Sequence, residues 1–493
     1  MSIPQPYLDH GSSVPLYRQL YNQIKEWIES GRLKSGERLP STREMAGLLG
    51  LNRATIAAAY ALLESENLIQ GQVGRGSFVL RAAPASQAAF DWDEFFEESE
   101  RLPAPLGMAT NAAISFASSS PAAPLFPLDE VRQCCREVLE GSQAQVILQL
   151  GSPAGYGPLR EYLLEVGRRE GTVQSQDDVL ITNGVQQGLD LVQRLLVRAG
   201  DTVLLEDPIY PGIKHLLARA GARLIGVPVG PVGMDVELAA EVLEREKPRL
   251  MVVTPNFHNP TGATLPVEAR QALLAAAEQA GTVVVENDSY GELRYSGEPA
   301  ASLKQMDAWG GVILLRSFSK IAFPGLRVGW LTARRTLVAR LAETKQLTDL
   351  HTDQLAQAVL LRFAESGRLE AHRARVRAAG TERLAAVLEA CARNLPAGSR
   401  HSRPQGGMNL WVKLPPPLDS AELLGKAEQR GVTYLPGKIF EVTHHDPGGL
   451  RLSFASLPPD KIRQGVAVLG DLFAEELERL RAQKRPAPAP AIV

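Results

Sequence analysis

The chain has 493 residues, 44% of them hydrophobic and 22% charged, with a formal net charge of −2. That length exceeds one core and predicts two to four domains at roughly 100–200 residues each. The near-neutral balance excludes nucleic-acid binding through bulk charge, so any such binding rests on a local patch. No apolar run approaches the ~20 residues of a membrane span, and Met1 to His10 has no basic-then-apolar leader pattern. Cys134, Cys135 and Cys391 form neither a disulfide framework nor a metal-ligand spacing, and a reducing cytoplasm is the expected setting.

From Pro15-Leu16-Tyr17, apolar residues Leu20, Ile24, Trp27 and Ile28 recur at helical spacing until Gly31 and Gly36. Ser41 with Glu44 three residues on is a capping-box pattern. It opens a short helix to Leu49 that ends at Gly50. Asn52 caps the next, Arg53 to Ser65. Helix, glycine turn, helix is a helix-turn-helix pattern, whose second helix enters the major groove by its N-terminal end. Leu68 to Gln70 and Ser77 to Leu80 read as short strands around Gly71-Gln72-Val73-Gly74-Arg75-Gly76, a wing with a basic tip. A small structural or protein-binding module would share this outline. Residues 14–80 hold eight Lys/Arg against six Asp/Glu, but Arg38, Arg43, Arg53 and Arg75 fall where a groove-facing surface would be. The string from Leu39-Pro40-Ser41-Thr42-Arg43 through Gly74-Arg75-Gly76-Ser77-Phe78-Val79 resembles the GntR-family winged helix over essentially all of the segment. The resemblance implies DNA contacts by Arg43, by Arg53 and Thr55 on the recognition helix, and by Gly74 and Arg75 in the wing. Arg53 would read a guanine edge, and Arg43 would do the same or hold phosphate. Ala54 stands where the family often has a hydroxyl.

Residues 81–112 break the composition, with Ala-Pro-Ser stretches around an acidic, aromatic run from Phe90 to Glu98. A flexible chain of this length spans roughly 30 Å. The aromatics either dock on the following domain or pack within a linker helix. At the far end, 483–493 with Pro486, Pro488 and Pro490 is expected to be disordered.

Between them, in 113–480, strand and helix patterns alternate, as in an α/β domain with a mostly parallel sheet. Val179 to Thr182 is a strand running into Asn183-Gly184-Val185-Gln186-Gln187-Gly188 and a helix; such a turn leaves free amides for an anion. Val203 to Leu205 precedes Glu206-Asp207-Pro208-Ile209-Tyr210. Leu250 to Val253 runs into Thr254-Pro255-Asn256-Phe257-His258-Asn259-Pro260-Thr261-Gly262. Val283 to Val285 runs into Glu286-Asn287-Asp288-Ser289-Tyr290. Val312 to Leu315 runs into Arg316-Ser317-Phe318-Ser319-Lys320, followed by Pro324-Gly325-Leu326-Arg327. Two hydroxyls and a guanidinium near one amine are what a phosphate beside an imine-forming lysine needs; an ordinary surface lysine after a strand is the plain alternative. Polar clusters at the carboxyl ends of successive strands converge where open α/β sheets bind ligands.

These segments, in this order, resemble the fold-type I aminotransferases, which bind pyridoxal 5'-phosphate (PLP). The resemblance implies an aldimine on Lys320. It gives the phosphate to Ser317, Ser319, Arg327 and the backbone at Gly184, Val185 and Gln186. Tyr210 would stack on the pyridine ring, Asn259 and Tyr290 would meet its 3'-oxygen, and Arg451 in Leu450-Arg451-Leu452-Ser453 would bind a substrate carboxylate. His258 is read as a bystander. The chain departs from the pattern twice. The family's aspartate at the pyridine nitrogen is replaced by Asn287. Strand neighbours 287 and 288 face opposite sides, so either Asn287 meets the ring and transamination is slow, or Asp288 turns in; the first is favoured. Leu150 stands where the family commonly has a tyrosine that crosses a dimer to the phosphate. Residues from about 345 to 480 are expected to form the smaller domain.

A GntR winged helix (α+β) ahead of an α/β fold-type I aminotransferase-like domain resembles the MocR-type transcriptional regulators end to end. That resemblance implies a homodimeric, PLP-dependent regulator that binds double-stranded operator DNA and senses an amino compound through Lys320 and Arg451. A working aminotransferase with secondary DNA binding is the alternative, and PLP itself as effector is a third.

Overall fold

The computed structural model describes residues 6–12, 14–72, 76–80, 92 and 112–483. The chain divides into two compact units, 1–104 and 105–493.

The first unit runs α1 (Leu16–Glu29), β1 (Arg38–Leu39), α2 (Thr42–Leu49), α3 (Arg53–Ser65), β2 (Ile69–Gln72) and β3 (Gly76–Val79). Its caps follow from the residue types. Ser41 Oγ accepts the Glu44 N–H at 3.2 Å while the Glu44 carboxylate accepts the Ser41 N–H at 2.7 Å, which satisfies two otherwise orphaned donors. Gly50 closes α2 at φ +63°, a backbone that costs little only without a Cβ. Asn52 Oδ1 then accepts the Ala54 N–H at 3.0 Å to start α3. Leu20, Ile24, Trp27, Met45, Ile56, Ala59 and Leu63 form one core. β1 was not read from sequence, because two residues carry no periodicity. It pairs antiparallel with β3, Arg38 opposite Phe78, so the wing has three strands. The proposed contacts Gly74 and Arg75, the linker aromatics other than Trp92, and the proline-rich tail lie outside the described residues.

In the second unit, eight strands lie in the order β5 (Asp177–Thr182), β12 (Gly329–Arg334), β11 (Val312–Ser317), β10 (Val283–Asn287), β9 (Leu250–Val253), β6 (Thr202–Asp207), β7 (Arg223–Gly230), β8 (Gly233–Met234). The sheet is mostly parallel, as the alternation predicted, except that β12 runs against both β5 and β11 and β8 runs against β7. Two reversals cancel, so β5 is parallel to β11, and the carboxyl ends of β5, β6, β9, β10 and β11 share one edge. The strands read as continuous apolar runs because both faces are covered. Leu205, Val252 and Val285 pack on one side with Leu189 and Val192 of α4 (Gly184–Leu196). Leu204, Met251, Val253 and Val284 pack on the other with Leu273 and Leu274.

A four-stranded antiparallel sheet, β13 (Arg400–His401), β14 (Asn409–Lys413), β17 (Gly449–Ser453) and β16 (Leu435–Pro436), forms a second core with the helices Arg368–Asn394 and Pro459–Gln483. The short strand β4 (Ile114–Ser115) joins this part by pairing in parallel with β15 (Val432–Thr433). The helix Gln354–Glu365, expected in the smaller domain, packs instead through Val359, Leu360 and Phe363 on Leu159, Leu163 and Phe318. Its apolar face is legible in the sequence, whereas the surface it meets is not. Among the described residues no helix is long and apolar enough to cross a membrane.

Candidate functional site

At the shared carboxyl edge lies a cavity of about 270 Å³, with Leu435 and Arg451 among its lining residues. Val185, Gln186, Tyr210, Asn259, Asn287, Tyr290, Ser317, Ser319, Lys320, Arg327 and Arg451 all line it. Residues drawn from five strand ends and from β17 thus converge.

One end is built for an anion. Ser317 Oγ donates to Ser319 Oγ at 2.8 Å and accepts the Ser319 N–H at 2.9 Å, while Arg327 Nη1 lies 3.4 Å from Ser319 Oγ. Arg327 adopts φ +55° and otherwise donates to the carbonyls of Pro324 and Asn183, at 3.2 and 3.3 Å. No carboxylate pairs with it among the described residues. Gly184 opens α4 at φ +75°, and a Cβ there would meet Arg327 Nη2 at 2.4 Å; only glycine admits the guanidinium beside the free amides of the helix start. Hydroxyls, guanidinium and amides together fit a phosphate.

In the middle, Lys320 Nζ donates to the Ser119 carbonyl at 2.5 Å and lies 5.6 Å from the Tyr290 ring centre. The Tyr290 hydroxyl is 3.2 Å from Ser119 Oγ and accepts from Asn259 Nδ2 at 3.4 Å. Burial pushes the phenol up, but Lys320, Ser119 and Arg451 outweigh it and bring Tyr290 below its ordinary value. Tyr210 is pushed up, chiefly by burial.

The other end is Arg451, only 3% exposed. It donates from Nη1 to Asn259 Oδ1 at 3.0 Å and from Nη2 to the Ala117 carbonyl, and its Nε is buried without a partner. Burial, partly offset by Tyr290 and Tyr210, brings the guanidinium down to about 10, so it stays charged at neutral pH. A cation held with an unused donor is suited to a carboxylate.

Asn287 lines the cavity and Asp288 does not. Asp288, a possible ring contact by sequence, does not meet the cavity: its Oδ2 accepts from Arg316 Nε at 2.9 Å and its Oδ1 from Asn256 Nδ2 at 2.9 Å. Strand alternation sends it to the opposite face, where a guanidinium compensates its burial. Ser289 Oγ donates to Asn287 Oδ1 at 2.6 Å, and Asn287 Nδ2 is 3.4 Å from Thr254 Oγ1. The amide oxygen is therefore taken, and the N–H groups are the end of Asn287 left to act.

His258 is outside the lining. Its Nδ1 meets Thr261 Oγ1 at 2.8 Å and its Nε2 lies 3.2 Å from Glu206. Leu150 is 79% exposed, and neither it nor Tyr156, the tyrosine six residues on, is among the residues lining the cavity. Sequence reasoning missed the lining segment Ala117 to Ser120, which has no periodicity and lies in neither helix nor strand.

Behind Asn287, Glu286 is fully buried and accepts the N–H groups of Leu303 and Lys304 at 3.0 and 2.8 Å. Burial and the neighbouring Asp288 raise its carboxyl to about 7, against an ordinary 4.5. Between those values the folded chain holds a proton that the unfolded chain has lost, so stability falls as pH rises through this window. Denaturant midpoints at pH 5 and pH 8 are expected to differ in that direction, and Glu286→Gln should flatten the difference.

In the first unit, Arg43 and Arg53 are exposed and Thr55 is half-buried at the start of α3. Arg53 Nε lies 3.3 Å from Thr42 Oγ1, which brings the openings of α2 and α3 together.

The fold and the cavity define an aminotransferase-type unit in a chain that begins with a helix-turn-helix. Residues 116–469 match the family "Aminotransferase class I and II", and residues 16–79 match "Bacterial regulatory proteins, gntR family". The HTH-type transcriptional regulator TauR of Rhodobacter capsulatus is 32% identical over 95% of this chain and 99% of its own length. Aromatic-amino-acid aminotransferase 1 of Thermococcus litoralis is 35% identical over 75% of this chain and 90% of its own. The crystal structure of LysN, an α-aminoadipate aminotransferase of Thermus thermophilus complexed with N-(5'-phosphopyridoxyl)-L-leucine, superposes with a TM-score of 0.70 at 37% identity, covering 74% of this chain and 93% of LysN. The chain belongs to the MocR-type transcriptional regulators, a GntR helix-turn-helix joined to an aminotransferase class I and II domain.

Proposed function

We propose that this chain is a DNA-binding transcriptional regulator whose second unit binds PLP at Lys320 and responds to an amino compound bearing a carboxylate. The observation that carries the reading is the cavity itself: a phosphate cradle, a lysine and a carboxylate-ready arginine in line, with an amide where a transaminase wants an acid. PLP, when bound, supplies an aldehyde that amines condense with and a ring that draws electron density.

The residues divide the work. Ser317, Ser319, Arg327 and the amides from Gly184 to Gln186 hold the phosphate, and Tyr210 covers the ring. Asn259 and Tyr290 donate or share protons at the ring's oxygen, while Lys320 captures the aldehyde. Arg451 orients the carboxylate of the arriving amine. With its oxygen held by Ser289, Asn287 offers N–H to the pyridine nitrogen. A donor there would require a lone pair on the ring nitrogen of a bound cofactor and would not supply the charge by which a carboxylate strengthens the ring's pull on electrons. Such a site retains its amine instead of converting it. Ligand binding shifts an equilibrium between two arrangements only through differential affinity for them.

DNA recognition is assigned to Arg53 and Thr55 at the start of α3, with Arg43, Gly74 and Arg75 alongside. Arg53→Ala is expected to weaken binding to a cognate operator by about 10–100-fold and to relax preference at one base pair, as loss of a bidentate guanine contact does; gel-shift titration against operator variants reads it. Leu347, 92% exposed, and the exposed Leu350 flank Asp349, which accepts from Asn183 Nδ2 at 2.7 Å beside the phosphate cradle. These apolar side chains support pairing of two copies next to the site, in keeping with two DNA heads on two half-sites.

The second reading, a working aminotransferase, is supported by Tyr210, Asn259, Tyr290 and Arg451 all lining the cavity. One experiment separates the two. PLP added to the purified chain is expected to give a visible absorbance band that Lys320→Ala abolishes; a chain that stays colourless sinks both readings. Amino acids that shift this band and alter operator affinity without releasing 2-oxo acid support the regulator, and stoichiometric 2-oxo acid in a single turnover supports the enzyme.

A further inference from the structure

Both ligand-binding groups of the cavity are engaged by one short piece of main chain. Arg451 Nη2 donates to the Ala117 carbonyl, and two residues on the Ser119 carbonyl accepts from Lys320 Nζ at 2.5 Å. Ser119 Oγ also lies 3.2 Å from the Tyr290 hydroxyl. The segment is otherwise held by the Ala117 N–H, which donates to Ser115 Oγ at 3.4 Å, by a 3.2 Å contact between the hydroxyls of Ser118 and Ser120, and by Ala117 packing with Leu435 and Phe440. Its N-terminal side is anchored firmly. The N–H groups of Ile114 and Phe116 donate to the carbonyls of Gly431 and Thr433 at 3.0 and 2.9 Å, and the Phe116 carbonyl accepts the Ser453 N–H at 2.9 Å. Ser453 closes β17, the strand that carries Arg451.

These contacts conflict with ligands. The unused donor on Arg451 is Nε, buried and unpartnered. A carboxylate that takes Nε in a bidentate fork also takes one of the two hydrogens of the adjacent Nη2, the nitrogen that Ala117 now shares. Likewise, a lysine amine that condenses with an aldehyde forms a C=N bond, and the aldehyde oxygen leaves as water with two hydrogens from the nitrogen. Its nitrogen then keeps at most one hydrogen, drawn toward the new ligand and away from Ser119.

We propose that residues 117–120 are a strap that fills the cavity's two ligand positions with its own carbonyl oxygens, so that occupancy frees the strap and loosens β4. The proposal rests on the regulator reading above and adds to it a route by which occupancy is read. β4 is the first strand after residues 81–111, which connect the second unit to the helix-turn-helix in sequence. Strap release therefore acts on the end of that connection.

The test is amide hydrogen exchange on the full chain, resolved at residues 114–120, for wild type, Lys320→Ala and Arg451→Gln, each without ligand. Either variant removes one strap contact and is expected to speed exchange at 117–120, and at Ile114 and Phe116, by about tenfold. Amides of β11 serve as the control for intact folding. If Arg451→Gln disturbs β11, Lys320→Ala decides, since Lys320 is only partly buried. Wild type loaded with PLP, its occupancy read by absorbance, is expected to show the same acceleration at 118–120. Unaltered protection of the strap in a folded variant, or in PLP-loaded wild type, overturns the proposal. Wild type that never colours with PLP defeats the cofactor reading instead, and the ligand-free variants still judge the strap.

Discussion

Asn287→Asp is expected to raise the single-turnover rate of amino-group transfer by about 10–100-fold, the worth of one charge-assisted hydrogen bond expressed at the transition state. The argument is local. Ser289 Oγ already donates to the oxygen of Asn287 at 2.6 Å, and it would serve a carboxylate at least as well. Thr254 Oγ1, 3.4 Å from the amide nitrogen, can turn its hydrogen toward the new oxygen. A carboxylate at this place would hold the pyridine nitrogen of a bound cofactor protonated, which would strengthen the electron-drawing chemistry that the cofactor supplies. Asp288 does not supply this charge in the natural chain, since both its oxygens are engaged by Arg316 and Asn256. Stopped-flow spectra with an amino acid that shifts the cofactor band measure the effect. A variant within about twofold of wild type would show that ring protonation does not limit this chain, and the assignment of Asn287 would be wrong.

The contrast between Asn287 and Asp288 also shows what could be read from sequence and what could not. That only one of two strand neighbours faces a ligand follows from the two-residue repeat. Which one faces it depends on partners far away in the chain, here Arg316 and Asn256, which hold Asp288 on the other face. The strand-end clusters were legible because each couples an apolar run to polar residues at the turn, a local pattern. Caps at Ser41, Gly50 and Asn52 were legible for the same reason. The alternation of strand and helix makes a mostly parallel sheet legible, but not the antiparallel β12, which follows β11 without an intervening helical pattern. Residues 117–120 left no signal at all: small side chains act there through main-chain carbonyls, and a carbonyl has no letter in a sequence. The helix Gln354–Glu365 falls within the stretch expected to form the smaller domain and packs on Leu159, Leu163 and Phe318 instead, since amphipathicity specifies a buried face but not what buries it.

Arg451→Gln is expected to weaken the response to a carboxylate-bearing amine by about 100-fold or more, the usual cost of removing one partner of a buried, hydrogen-bonded charge pair. Capture of PLP at Lys320, read by absorbance, should persist, because the phosphate donors lie at the opposite end of the cavity. The variant therefore separates two effectors that the regulator reading allows. If an amino compound is sensed through its carboxylate, operator binding loses its dependence on that compound but keeps any dependence on PLP. If PLP alone is the effector, operator binding responds to it as before. Arg451→Lys is the informative companion: it restores the charge but not the two-pronged donor geometry, so it should recover only a small part of the response. Glutamine at this position also cannot hold the Ala117 carbonyl with a cation, so loss of this strap contact has a further consequence. Without any ligand, the operator affinity of Arg451→Gln should move toward the value that wild type shows when loaded. A ligand-free variant that binds operator as unloaded wild type does, while its strap amides exchange freely, would mean that the strap opens without informing the DNA-binding unit.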